Sequence, residues 1–178
     1  MIENPEKYGK PQDKFEPNDL VLNTPEVPEQ AKEIHLEMGR PELGEKPDDI
    51  EGILEYRPKY TLENGNIYKG QWLKRTQTMH GKGLLIFTSG TILLCWFKNN
   101  VPTGKARNIL KDGGSCEGYL VNKKYNGLVS ETWSNGNKYF GQYKDDKRNG
   151  FGLFVYASGK SYEGFFRDDF MEGLGVYK

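Results

Sequence analysis

The chain has 178 residues with 25 basic and 25 acidic side chains, so its formal net charge is zero. This length suits one domain with an appendage, and a neutral total argues against a general nucleic-acid binder. The apolar runs are far shorter than the roughly 18 residues that a membrane-spanning helix needs, and the first twenty residues contain no apolar core of a signal peptide.

The composition changes near residue 60 and predicts two regions. Residues 1–60 carry 8 Lys/Arg and 15 Asp/Glu, a net charge of −7, and 8 of the 9 prolines. Residues 61–178 carry 17 basic and 10 acidic residues, a net charge of +7, with 18 of the 22 glycines. We therefore expect an extended, acidic, proline-rich arm over residues 1–60 and a separate folded domain over residues 61–178.

Two short helical segments are predicted within the arm. Residues 29–38 follow Pro28 and precede Gly39, the residue types that begin and end helices. The apolar stripe of this helix is weak and consists of Ile34, Leu36 and Met38. A second helical turn is predicted over residues 48–56, because two aspartates come first and apolar side chains follow.

The second region contains five tandem copies of one sequence unit. Each copy opens with a turn glycine and has a second glycine 14 to 16 residues later. The opening glycines are Gly65, Gly90, Gly113, Gly136 and Gly159, and the second glycines are Gly81, Gly104, Gly127, Gly150 and Gly173. The order of strand, polar loop, strand and glycine turn predicts five consecutive antiparallel hairpins, about ten strands, in one elongated all-β sheet.

Each unit places apolar side chains at every second position of its first strand, as in Tyr68, Gly70 and Trp72. Such a period puts the rings and the glycine on one face, and a glycine there leaves room for a ring to lie over the backbone. We expect neighbouring hairpins to stack these rings in a ladder, because a single hairpin cannot bury them. The predicted ladder comprises Tyr68, Trp72, Phe87, Phe97, Leu120, Trp133, Tyr139, Tyr143, Tyr156, Tyr162 and Phe166.

These units resemble the MORN (membrane occupation and recognition nexus) repeat. Its pattern, Y-x-G-x-W, a polar loop and then H-G-x-G, is matched best over residues 68–83, 139–152 and 162–175. Units two and three depart from it, because Cys95 replaces the strand glycine and Ala106 and Val129 replace the last glycine. The resemblance implies an elongated single-layer sheet and a binding or assembly role, as in ciliary, axonemal, cytoskeletal and membrane-junction proteins.

No arrangement typical of an enzyme is found. His80 occupies the H-G position, where packing or a hydrogen bond at a turn is expected. The pairs Asp145–Asp146 and Asp168–Asp169 lie in polar loops beside basic residues and are interpreted as solvated turns. Cys95 and Cys116 lack the spacing of a zinc site, so we expect reduced thiols in an intracellular protein. The sequence therefore predicts a non-enzymatic protein with no cofactor and no metal.

The stretch 91–97, TILLCWF, is unusual because six apolar residues follow one another. The repeat frame makes it the first strand of hairpin two, with Leu93 and Phe97 on the ladder. The alternate side chains then form an apolar patch on the opposite face: Ile92, Leu94 and Trp96. We expect this patch to be covered, either by the chain's own residues 50–56 or by a protein partner, and Trp96→Lys to abolish docking.

Two binding functions are carried forward. In the first, the chain is a scaffold subunit that docks other proteins in a large assembly, with the arm wrapping a neighbour and the last sheet edge meeting another MORN chain. The expected setting is a cilium, axoneme or cytoskeleton, with a mitochondrial assembly as the alternative. In the second, hairpin-loop cations bind anionic lipid headgroups, although loop carboxylates offset them. These cations are Lys123, Lys124, Lys144, Lys147 and Arg148. The arm could also fold back onto its own oppositely charged sheet.

Overall fold

The computed structural model describes residues 17–178 and contains one antiparallel sheet preceded by two short helices. The helices are α1 (Pro17–Leu22) and α2 (Glu29–Glu37). The strands are β1 (Leu54–Thr61), β2 (Ile67–Leu73), β3 (Met79–Ile86), β4 (Ile92–Lys98), β5 (Val101–Ile109), β6 (Ser115–Val121), β7 (Lys124–Thr132), β8 (Lys138–Lys144), β9 (Lys147–Val155), β10 (Ser161–Arg167) and β11 (Phe170–Tyr177).

The eleven strands pair in the order in which they occur along the chain, and every pair is antiparallel. The predicted fold class, a single-layer sheet of tandem hairpins, is confirmed. The ten strands of the five predicted hairpins are β2 to β11, and β1 is an additional strand that pairs with β2. β1 spans the predicted boundary at residue 60, so the sheet begins at Leu54.

The hairpins use the two kinds of turn that the sequence indicates. At one end of the strands, four hairpins reverse in two polar residues with positive φ, for example 51° at Asp145 and 69° at Asp146, and the longer β2–β3 loop is the exception. This is the geometry of a type I′ turn, whose twist matches that of the flanking strands. At the other end the turn glycine carries the positive φ, as at Gly136 with 85°. The stretch 92–98 is β4, as the repeat frame predicts.

A row of small residues runs across the middle of one face, with a tyrosine ring lying over it in three repeats. Gly70 and Gly83 are register partners, and a Cβ built on Gly83 would lie 2.3 Å from the hydroxyl oxygen of Tyr68. The same relation joins Gly152 to Tyr139, at 2.4 Å. The tyrosine hydroxyl then donates to a carbonyl three residues ahead, as Tyr139 does to Gln142 at 3.1 Å. The glycines therefore make room for the rings, as predicted.

The departures in repeat two compensate one another. Here Leu93 stands in the tyrosine position, so no ring covers the small-residue row. The space is filled by Cys95 and Ala106, which are register partners and are both fully buried. The smaller Leu93 in the tyrosine position therefore leaves room for Cys95 and Ala106 in the two glycine positions.

The face that carries this row is the ladder face. It is packed as two clusters, one centred on Tyr68, Trp72 and Phe97 and one on Tyr139 and Phe166. Adjacent rings meet edge to face, with 5.1 Å between the centroids of Tyr68 and Phe97 and 5.2 Å between those of Tyr139 and Phe166. All eleven predicted ladder residues belong to these clusters, with Phe87, Trp133, Tyr143 and Tyr156 only partly buried.

Side chains at the hairpin tips connect each hairpin to the one before it, except at the junction between repeats two and three. The Asp146 carboxylate accepts a hydrogen bond from the Tyr125 backbone N–H at 2.7 Å, and the Asp146 N–H donates to the Tyr125 carbonyl at 3.1 Å. Asp169 forms the same pair of bonds with Arg148. The paired aspartates are therefore turn residues, as interpreted. His80 is confirmed in its turn role, since its Nδ1 accepts from the Asn99 N–H at 3.2 Å.

Residues 17–53 form a layer on the opposite face and are called the cover. Helix α2 ends at Glu37, one residue before the predicted end at Met38, and Gly39 follows with a φ of 75°. Its fully buried side chains are Ala31 and His35. Of the predicted stripe, Ile34 and Met38 are partly buried against the same cluster, whereas Leu36 is 59% exposed. The predicted helical turn over 48–56 is wrong, because Leu54 to Tyr56 extend as part of β1 and pair with β2. The predicted residues 1–16 of the arm lie outside the described residues.

Candidate functional site

The face opposite the ladder, the cover face, can be followed across the sheet along one row of register partners. The row runs through Leu84, Leu94, Arg107, Glu117, Ser130, Phe140, Leu153, Glu163 and Val176. Exposure changes along it. Leu94 is 1% exposed beneath the cover, whereas Phe140 is 56% exposed. One continuous face is therefore occupied over β2 to β5 and open over β8 to β11.

The predicted apolar patch lies in the occupied half. Ile92, Leu94 and Trp96 are all buried, in one cluster with cover residues that include Val27 and Ile50. The Trp96 indole N–H donates to the Leu43 carbonyl at 2.9 Å. The expected cover, residues 50–56, supplies Ile50 and Tyr56, and the larger part comes from residues 20–43 of the same chain. The idea that this patch is open to a protein partner therefore needs correction.

Ion pairs hold the cover at its margins. Asp49 Oδ2 lies 2.5 Å from Lys98 Nζ, and Glu26 pairs with Lys59. The hydrogen bond from each lysine lowers the pKa of its carboxyl partner below the ordinary value. The cover contains 10 acidic and 3 basic residues, a net charge of −7, which is complementary to the basic sheet. These pairs are partly exposed, so each contributes little energy and serves mainly to fix the register of the cover.

A buried polar group anchors the end of α2. Arg107 donates to the Gly39 carbonyl at 2.6 Å and pairs with Glu117 at 2.7 Å. His35 is fully buried, and its Nδ1 lies 3.5 Å from Nη1 of Arg107. Burial and the neighbouring guanidinium lower the pKa of His35 to about 4. Beyond this group a polar cleft of about 330 Å³ separates the cover from β7; it is lined by Arg40, Glu42, Lys105, Ser130 and Thr132, among others.

The open half of the cover face carries a group of large apolar side chains, here called the apolar strip. It consists of Phe140, Phe151, Leu153, Phe165, Leu174 and Val176. Leu174 is 84% exposed, and the Phe151 and Phe165 rings meet edge to face with 5.6 Å between centroids. The strip spans β8 to β11, and a contiguous group of exposed apolar side chains marks an interaction site.

Basic side chains lie at the hairpin end of the strip. A cleft of about 530 Å³ is lined by Lys124, Lys144, Asp145, Lys147, Asn149, Arg167 and Asp168. Nζ of Lys147 lies 3.6 Å from Oδ1 of Asp168, and Nη1 of Arg167 lies 3.1 Å from Oε1 of Glu172. Within residues 17–178, neither Lys124 nor Lys144 takes part in an ion pair. The structure therefore brings three of the five predicted lipid-binding cations together, while Lys123 lies in the adjoining β6–β7 turn.

Arg148, the fifth predicted lipid-binding cation, is on the ladder face instead. Its guanidinium carbon lies 5.6 Å from the ring centroids of Trp133 and Phe154 and 5.7 Å from that of Phe166. Its Nε donates to Asp169 at 3.2 Å. A guanidinium held by rings and a carboxylate is not presented to a bilayer, so the expectation of lipid contact at Arg148 is corrected.

Metal binding, thiol reactivity and membrane-spanning helices can each be assessed over the described residues. Within residues 17–178, no group of three or more His, Cys, Asp or Glu side chains is placed to hold a metal ion. Burial raises the pKa of both thiols, that of Cys116 to about 12, which disfavours the reactive thiolate. Over the same residues, neither helix is long and apolar enough to cross a membrane.

Comparison with known families agrees with this architecture. The model of the MORN repeat matches residues 78–92, 139–161 and 162–178. The chain contains MORN repeats. MORN repeats form a non-enzymatic module that mediates protein or membrane interactions. No curated protein matches the chain. Among solved structures, the TCP domain of SAS-4 from Drosophila melanogaster, in complex with a proline-rich motif of Ana2, is 11% identical with a TM-score of 0.35. That match covers 77% of this chain and 96% of the domain.

The MORN frame relates the occupied half of the face to the open half. Eight residues after the turn glycine, repeats two, four and five carry Lys98, Lys144 and Arg167. Six residues after it, repeats two and five carry Trp96 and Phe165. The sheet thus presents an aromatic side chain beside a cation twice. The first set binds the cover and the second has no such layer among residues 17–178.

The apolar strip could have been found from the sequence. Four of its six residues occupy x positions of the MORN pattern, where repeat one carries Lys69, Gln71 and Lys82. An excess of Phe and Leu at those positions in repeats four and five is the same signal that singled out residues 91–97, spread over more of the chain.

Proposed function

We propose that this chain is a non-enzymatic docking subunit that holds other proteins in a large assembly. The observation that supports the proposal most directly is the apolar strip, an open apolar surface on a face whose other half is covered by another segment of the same chain. MORN repeats as interaction modules support the same class of function.

The proposed setting is an intracellular assembly, with a ciliary axoneme or the cytoskeleton first and a mitochondrial assembly second. This rests on the family resemblance alone. Fluorescent tagging of the full chain, with markers for cilia, cytoskeleton and mitochondria, tests it. A diffuse signal that follows none of the three would contradict the proposed setting without touching the docking function.

The experiment for the docking function compares the intact chain with a Phe151→Ser/Phe165→Ser variant by affinity purification and quantitative mass spectrometry. We expect a small set of proteins to be depleted from the variant. The full chain is required, because removal of residues 1–60 also deletes most of β1 and uncovers Trp96, which would capture proteins unspecifically. Equal recovery of every protein by both baits would contradict docking through the strip.

Binding to anionic membranes is the second candidate, and the cleft around Lys124, Lys144 and Lys147 favours it. Each such cation contributes only about 1 kcal/mol near an anionic surface, and Asp145 and Asp168 line the same cleft. Flotation of the full chain with phosphoinositide vesicles decides between the two. Tight, salt-sensitive flotation that a Lys124→Glu/Lys144→Glu variant loses would favour the membrane function.

Self-association is a further proposed property of the assembly. β11 pairs with β10 on one side and has no strand on its other side within the described residues. Its unpaired backbone groups could accept a strand of another MORN chain. Sedimentation of the full chain over a range of concentrations tests this, and a single monomeric species throughout would contradict it.

A further inference from the structure

The occupant of the apolar strip can be inferred from what occupies the rest of the face. Resting on the proposed docking function, we propose that the strip binds an acidic amphipathic segment of a partner protein. The segment lies across β8 to β11 as the cover lies across β2 to β5, with apolar side chains on the strip and carboxylates at its basic end.

The first argument is repetition. Leu84 and Trp96, which the cover buries, are matched in the repeat frame by Leu153 and Phe165 of the strip. The backbone beneath them is the same antiparallel hairpin in the same register, since Gly83 pairs with Cys95 as Gly152 pairs with Gly164. Equivalent shapes at equivalent positions accept a similar layer, and on this molecule that layer is a pair of short helices joined by extended chain.

The second argument is charge. Lys98 binds the cover carboxylate of Asp49, and its repeat equivalents are Lys144 and Arg167. Lys124 and Lys144 have no carboxylate partner within residues 17–178. An acidic segment supplies those partners, whereas a basic or neutral one leaves the lysines beside the strip unpaired. Complementary charge of this kind mainly sets specificity and association rate.

The third argument disfavours a second copy of this chain in a strip-to-strip dimer. A twofold contact places the same patch on both sides. The cations at the end of each strip, including Lys124, Lys144 and Arg167, would be brought to a second set of the same sign or left outside the interface. Direct membrane insertion is disfavoured as well, because Glu163 lies in the middle of the strip between Leu153 and Val176.

Selection from random peptides tests the chemistry without assuming a partner. A phage-displayed library is panned on the intact chain and counter-selected on the Phe151→Ser/Phe165→Ser variant. We expect the enriched peptides to be net acidic with apolar residues at i, i+3, i+4 and i+7. Enrichment of basic or uncharged peptides, or of no peptide that distinguishes the two proteins, overturns the proposal.

Affinities of the synthesised peptides locate the contact. We expect Phe151→Ser/Phe165→Ser to weaken binding about tenfold or more, since buried aromatic anchors dominate such contacts. Lys144→Glu should weaken it roughly fivefold and reduce its salt dependence. Leu36→Ser, an equally exposed apolar residue on the outer surface of α2, is the matched control and should leave the affinity unchanged. Leu174→Ser, at a site 84% exposed, repeats the strip test if the double variant unfolds.

The outcomes separate this inference from the proposed function. Protein docking that survives every strip variant retains the docking function and overturns the assignment of the strip. A dimer of the intact chain that the strip variants dissociate also overturns the acidic partner, since a second copy would then be the occupant. Binding to phosphoinositide vesicles alone, with no peptide selected, overturns both.

Discussion

Gly152 lies directly beneath the Tyr139 ring, and that closeness predicts a coupled pair of mutations. Gly152→Ala places a methyl group 2.4 Å from the hydroxyl oxygen, so the ring must move. We expect the free energy of unfolding to fall by about 1–3 kcal/mol, the usual cost of overpacking. Urea unfolding followed by tryptophan fluorescence measures this.

The partner mutation supplies the control. Repeat two already combines leucine in the tyrosine position with Cys95 and Ala106 in the glycine positions. In a Tyr139→Leu background the cost of Gly152→Ala should therefore fall below about 1 kcal/mol, a coupling measurable by a double-mutant cycle. Strictly additive effects would mean that the ring and the glycine are independent.

His35 predicts a pH dependence of stability. Its pKa is about 4 in the folded protein and 6.5 ordinarily, so the unfolded chain binds the proton more readily between those values. Stability is therefore complete above pH 6.5 and is lost as the pH falls toward 4, by up to about 3 kcal/mol. Urea unfolding at neutral and acidic pH measures it. His35→Gln should flatten the dependence in this window, and an unchanged slope would contradict the assignment to His35.

Single residues of the ladder could be predicted because period two and the repeat frame fix both position and face. The position of Arg148 could not. Three of the rings around its guanidinium lie on β8, β9 and β10, and the fourth follows β7, so the contact depends on the register of four strands. Local sequence indicates only a cation in a polar loop and does not distinguish Arg148 from Lys147.

At the scale of elements, α2 was predictable because Pro28 and Gly39 delimit it. Residues 48–56 were not, because their local pattern suits a helical turn while their pairing suits a strand. Leu54 to Tyr56 gain backbone hydrogen bonds to β2, and this tertiary pairing overrides the weak local preference. The packing of residues 17–53 on this sheet was one of several alternatives. Their charge and composition indicate attraction to a basic sheet but do not show whether that sheet belongs to the same chain or to a neighbour.

The cover should detach when its deepest contact is removed. Trp96→Lys deletes a buried indole and its hydrogen bond to Leu43, and places a cation in an apolar cluster. We expect the ladder face to stay folded and proteolytic cleavage within residues 17–53 to become at least about tenfold faster, since cleavage follows the population of the detached state. Leu36→Lys, on the exposed side of α2, is the control. A cover that stays resistant in Trp96→Lys would contradict this.

At the scale of the molecule, the two halves differ in how many layers protect them. β2 to β5 lie between the ladder cluster and the cover, whereas β8 to β11 have a packed layer on one face only. In a repeat protein each unit is stabilised by its neighbours and its own packing, so local stability should fall toward β11. We expect backbone amides of β10 and β11 to exchange with deuterium before those of β3 and β4, as measured by mass spectrometry.

A peptide selected for binding to the apolar strip should slow the amide exchange of β8 to β10 and so partly reverse the order of exchange along the sheet. Uniform exchange along the sheet would instead indicate that the molecule opens as a single unit. The sheet itself was predictable because five copies of one unit leave a single way to stack them. The unequal covering of the two halves of the sheet could not be predicted, because it depends on how far residues 17–53 extend across the strands.

The hairpin-tip bonds have one break, which has a mechanical consequence. At the junction between repeats two and three the donor position is Pro102, which has no N–H, and the acceptor position is Lys123, whose side chain cannot accept. Because these hydrogen bonds are missing, we expect the sheet to bend more easily at this junction than at the others. Arg107 on β5 donates a hydrogen bond to the Gly39 carbonyl after α2 and forms an ion pair with Glu117 on β6. It therefore links repeats two and three on the cover face. The cover therefore adds a contact to the β5–β6 pairing at this junction, and we expect its release to let the C-terminal repeats bend more freely relative to β2 to β5.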